Sequence, residues 1–117
     1  MQDITSRITV WYLKQAYHAL LHEYLGHIEV IKRLDRAYDI LCRDERYSIT
    51  LASKSPTTFV VTGPNDAYTV IDSQRLCTCP DSEILCKHRL VAKLIVQATE
   101  RQYGVGRYAS VEPIITQ

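Results

Sequence analysis

Cys77, Cys79, Cys86 and His88 are the residues of this chain whose types and spacing can do chemistry. They read Cys-x-Cys-x6-Cys-x-His within the segment CTCPDSEILCKH, as two tight pairs separated by a short gap. Three soft thiolates and one imidazole suit Zn2+, an ion with no geometric demand beyond its four ligands. Iron–sulfur clusters are usually held by four cysteines, and only three stand here. Cys77 and Cys79 are too close in sequence for a relaxed disulfide, and Cys42 lies far upstream in a helical pattern. Residues 1–6, MQDITS, are polar and lack the apolar stretch of a secretion signal. An intracellular, reducing setting is therefore expected, in which clustered cysteines read as metal ligands. The expectation is one structural zinc. Four protein ligands close a tetrahedral site and leave no position for water or substrate, so chemistry at the metal is not expected.

The elements that must position these ligands follow from periodicity. Over residues 7–25, Val10, Leu13, Tyr17, Leu20 and Tyr24 recur at helical spacing, and Gly26 supplies a helix stop. Over residues 28–44, Ile31, Leu34, Tyr38 and Leu41 repeat the pattern. Two amphipathic helices joined at Gly26 and His27 predict a helical hairpin, each helix too marginal to stand without a packed apolar face. The period then changes. Tyr47, Ile49 and Leu51 alternate with small polar residues, Thr57–Val61 is β-branched and aromatic, and Ala67–Ile71 makes a third run. Turns are expected at Ser53–Pro56 and Gly63–Asp66. The predicted sheet is a three-stranded antiparallel meander, with Cys77 and Cys79 on a tight turn leaving the third strand. Asp81 and Ser82 offer a cap, and from about Ile84 to Arg101 the pattern is helical, with Leu90, Val91, Leu94, Ile95 and Ala98 on one face. Cys86 and His88 then reach one metal from the first turn of that helix. The last residues, 104–117, read as a docked strand or a tail.

Strands, then Cys-x-Cys, a gap, Cys-x-His and an apolar helix: over roughly residues 47–101 the chain resembles the SWIM-type zinc finger family. The Tyr68-x-Val70 strand ending, the CTCP knuckle and the CKH step into the helix carry the resemblance. It implies that Cys77, Cys79, Cys86 and His88 are the ligands of a ββα-like finger. It also implies a binding module for DNA or protein, without an attached enzyme. The expected fold class is α+β, divided into a helical hairpin (1–46), the finger (47–103) and a tail (104–117). A small sheet-plus-helix unit buries little surface, and structural zinc contributes ~10–16 kcal/mol in finger peptides. Metal and fold are accordingly expected to be inseparable.

Composition narrows the partner without naming it. Of the 117 residues 46% are hydrophobic and 23% charged, ordinary values for a globular domain, and no run approaches a membrane span. The formal net charge is +1; three thiolates with one Zn2+ bring the total close to zero. Electrostatics must be read locally. Arg75, Lys87, Arg89 and Lys93 surround the ligands, and Arg89, Lys93 and Gln97 at four-residue spacing are expected to line the solvent face of the last helix as a phosphate-contacting stripe. Against it, residues 66–101 hold five acids and five bases. His18 and His22 share a helical face beside Glu23, with His27 nearby, but HALLH lacks the Glu of a zincin helix, and a second metal is not expected. Cys42 reads as a buried thiol. Trp11 and Tyr12, in a chain with eight tyrosines, are candidate interface anchors if exposed. There is no glycine-rich phosphate loop, nucleophile elbow or isolated carboxylate pair, so no enzyme, small-molecule substrate or membrane partner is expected. The expected function is nucleic-acid binding within a larger DNA transaction complex such as transposition or recombination; the alternative is a protein-interaction adaptor that docks through the helical hairpin, with the finger as scaffold.

Overall fold

The fold is that of a computed structural model, which describes residues 7–80, 85–105 and 110–115. Strand β1 (Arg7–Thr9) leads into helix α1 (Val10–Glu23), followed by α2 (Ile28–Cys42). A four-stranded antiparallel sheet comes next: β2 (Ser48–Lys54), β3 (Thr57–Thr62), β4 (Ala67–Ile71) and β5 (Leu76–Cys77), in that spatial order. Helix α3 (Lys87–Tyr103) and strand β6 (Ser110–Ile115) complete the chain, β6 pairing in parallel with β1.

The α+β class, both early helices and the first three sheet strands are as the sequence predicts, and three points differ. The helical pattern at 7–25 is a strand over its first three residues, because Ile8 is fully buried and the extended Thr9 donates its N–H to Gln102 Oε1 at 3.0 Å. The sheet has four strands where three were expected. A 3-10 turn at Asp72–Gln74, ended by Arg75 in the left-handed region (φ 54), folds Leu76 and Cys77 back beside Ile71 and Val70. Helix α3 begins at Lys87 with Cys86 as its N-cap residue; the cap expected from Asp81 and Ser82 lies outside the described residues. Residues 110–115 form a strand, one of the two readings the sequence offers for the last residues.

The helical hairpin packs differently from a pair of mutually covering helices. Both α1 and α2 make their main contacts with α3. Leu13, Ala16 and Leu20 of α1 and Leu34, Ala37, Ile40 and Leu41 of α2 are buried. They join Leu90, Val91, Leu94, Ile95 and Ala98 of α3 and Ile49, Phe59, Val61 and Val70 of the sheet in one apolar cluster. Helix α3 is thus enclosed by helices and sheet, and its buried residues extend around most of its circumference. Gly26 makes the α1–α2 turn at φ 91, a conformation that side chains with a Cβ rarely adopt.

Candidate metal centre

Two structural units deliver the four ligands. The β4–β5 hairpin brings Cys77 on its second strand and Cys79 just beyond it. The start of α3 brings Cys86 and His88. Their ligand atoms all lie within 4.8 Å of one another, the one group of three or more potential metal ligands that converges among the described residues. His88 presents Nδ1 to the cluster, 3.7 Å from Cys77 Sγ. A tetrahedron with Zn–S of about 2.3 Å and Zn–N of about 2.0 Å has an S–N edge of roughly 3.6 Å. Donor types, number and spacing therefore fit a single structural Zn2+.

Protonation of the thiols fits the same role. Cys86 is held far below the usual thiol range, first by a hydrogen bond from Cys77, then by His88 and the Arg89 backbone N–H, all outweighing its burial. Cys77 is pushed up, chiefly by sharing its proton with Cys86 and then by burial. Cys86 and His88 are buried, while Cys77 and Cys79 are half-buried. No disulfide joins them. The His88 ring packs against Tyr68, centroids 5.0 Å apart, which limits its rotation.

Residues 59–97, from β3 through most of α3, match the SWIM zinc finger family. The chain carries a SWIM zinc finger. No curated protein and no solved structure gives a match. The SWIM finger is a non-catalytic scaffold, and four protein ligands fill a tetrahedral metal's positions. Helices α1 and α2 lie outside the matched segment yet share its core.

The basic residues do not form the expected stripe. Arg89 is only 5% exposed. Its Nε donates to Asp72 Oδ1 at 2.9 Å, and Lys93 Nζ lies 3.0 Å from Asp72 Oδ2. With Gln97 half-buried as well, the face expected to meet solvent is turned into the fold, because an enclosed helix has little outward surface. Arg75 remains exposed, and Lys87 is half-buried at the edge of a groove. That groove, about 230 Å³, runs between the β3–β4 turn and the knuckle and is lined by Tyr47, Tyr68, Cys79, Lys87 and His88 among others. Gly63 lets it form, since a Cβ there would stand 2.8 Å from the Tyr47 ring. His18, His22 and His27 are exposed and assemble no metal cluster. Cys42 is half-buried, its thiol pushed up chiefly by burial.

Sequence reasoning missed the role of Asp72, which had counted only as one acid among five. The signal was available: Arg89 and Lys93 sit one helical turn apart and thus share a face, and a carboxylate ends the strand that runs up to them.

Proposed function

We propose that this chain is a zinc-stapled scaffold that docks a protein partner through its helical layer. The observation that carries this reading is the division of its surface. Of the four cations expected to meet phosphate, Arg89 and Lys93 are engaged on Asp72. Large apolar side chains stand in solvent instead, and most lie outside the finger's matched segment. Trp11 is 57% exposed, Leu25 71% and Ile28 65%. Exposed Trp in particular is favoured as an interface anchor. In this reading residues 1–46 are the docking layer and 47–103 the stapled support. A reducing, intracellular setting is part of this reading, since ligand thiols must stay reduced. Among the described residues no helix is long and apolar enough to cross a membrane.

A second reading keeps one specific observation in its favour. Exposed Arg75 and groove-edge Lys87 flank the knuckle on two sides, and Tyr47 and Tyr68 line the groove between turn and knuckle. A nucleic acid held there, in a complex acting on DNA in transposition or recombination, would use two cations and aromatic faces.

One pair of measurements separates the readings. Cross-linking pull-down from the native host with wild type and with Trp11→Ala/Ile28→Ala is expected to recover a protein that the double variant loses. Titration with DNA and RNA at low salt is expected to show no binding. Affinity that falls with salt and is lost in Arg75→Ala/Lys87→Ala would establish the nucleic-acid reading instead.

A further inference from the structure

We propose that Asp72 is a clasp that sets the two ligand pairs in register for zinc before the metal arrives. This stands apart from which partner the chain docks. The metal site is built across a seam: Cys77 and Cys79 belong to the β4–β5 hairpin, Cys86 and His88 to the start of α3. No covalent link crosses that seam closer than the intervening chain. Asp72 opens the turn of the hairpin, directly after Ile71 and five positions before Cys77. Arg89 directly follows the ligand His88, and Lys93 lies one helical turn further along.

Both carboxylate oxygens of Asp72 are taken by α3, Oδ1 by Arg89 Nε at 2.9 Å and Oδ2 by Lys93 Nζ at 3.0 Å. The Arg89 side chain is 7% exposed and the Asp72 side chain 23%. A carboxylate held at two oxygens by two side chains of one helix fixes position and also orientation. Its hairpin therefore cannot slide or swing without breaking both contacts. Backbone bonds reinforce the same hairpin, with Arg75 N–H donating to the Asp72 carbonyl at 2.9 Å and Thr78 N–H to the Thr69 carbonyl at 3.1 Å. Asp72 touches no ligand atom. It acts on the metal by positioning, as outer-shell residues do when they orient the groups that bind.

The test measures zinc affinity by chelator competition in the full chain, beside the thermal midpoint of the zinc-loaded protein. Asp72→Asn keeps the shape and removes the charge that holds both cations. It is expected to lower zinc affinity about 10- to 100-fold, the range of outer-shell replacements. Asp72→Asn/Arg89→Met also removes the buried guanidinium and so separates stability from positioning. In this double variant the midpoint is expected to recover while the zinc affinity stays low. Lys93→Met, which keeps Arg89 on Asp72, is expected to lose less affinity than either. Recovery of wild-type zinc affinity in the double variant, or wild-type affinity in Asp72→Asn, would overturn the proposal. If Asp72→Asn does not fold, the double variant and Lys93→Met decide it by the same criterion.

Discussion

The apolar core and the zinc knuckle are held by different forces. The core joins α1, α2, α3 and the sheet through large aliphatic side chains with almost no exposure; of the four ligands, Cys77 packs against its edge and Cys86 is itself buried. The knuckle is a two-residue strand and a bend whose Leu76, Thr78 and Pro80 stand in solvent. Polar contacts, thiols and the packing of Cys77 at the core's edge tie it to the rest. A finger peptide without other support owes its fold to metal. Here the finger's helix is enclosed by two further helices, so apolar burial can hold α3 when the metal is gone. The expectation that metal and fold are inseparable follows from reading the finger alone; the helical layer changes it. The difference teaches that a structural metal can order one corner of a domain rather than the whole.

The sharpest way to break this contrast is at a ligand. Cys86→Ser removes one of four ligands, and if each supplies about a quarter of ~10–16 kcal/mol, zinc affinity falls on the order of 100- to 1,000-fold. Chelator competition checks it, and circular dichroism of the same sample is expected to retain the helical signal. The complementary lesion lies in the core. Leu94 is fully buried, and Leu94→Ala is expected to destabilise by about 2–5 kcal/mol through lost burial and a cavity. Denaturant unfolding measures that loss, while one zinc per folded chain remains by elemental analysis.

Smaller effects sharpen the boundary between the two regions. Gly63→Ala sets a methyl group against the Tyr47 ring and is expected to cost about 1–3 kcal/mol, as overpacking does, read as a lowered unfolding midpoint. Alkaline pH probes the helical layer. Tyr17 is held up to about 12, first by its hydrogen bond to Asp35, and Tyr38 is pushed up to about 12 by burial. An unfolded tyrosine ionises near 10. Between about pH 10 and 12 the unfolded chain releases protons that the folded chain keeps, so stability falls as pH rises through that window. Tyr17→Phe is expected to flatten the decline in a pH series of melts. Trp11→Ala, at an exposed position, is expected to change stability by no more than ~0.5 kcal/mol while weakening capture of the docked partner.

Legibility in the sequence followed the strength of local signals. The four ligands were legible because metal chemistry forces residue type and spacing into one short segment. Helices α1 and α2 and strands β3 and β4 were legible because periods of 3.6 and 2 persist over enough residues. Strand β5 was not, since two residues carry no period and Leu76–Cys77 pairs only because the Asp72–Arg75 turn aims it there. The burial of Arg89 was not legible either. Its spacing with Lys93 correctly placed the two on one helix face, but only the tertiary arrangement decides whether that face meets water or Asp72. Strand β1 was hidden for a similar reason: the helical stripe begins at Val10, directly after residues 7–9, and a distant strand, β6, determines that they are extended.

Residue-resolved amide hydrogen exchange of the chain, zinc-loaded and after chelation, tests most directly whether zinc secures the knuckle onto a core that stands without it. The account predicts that chelation removes protection from residues 76–79 and 86–88 while residues 90–98 of α3 and the buried positions of α1 and α2 stay protected. Loss of protection throughout all three helices in step with zinc removal would contradict it.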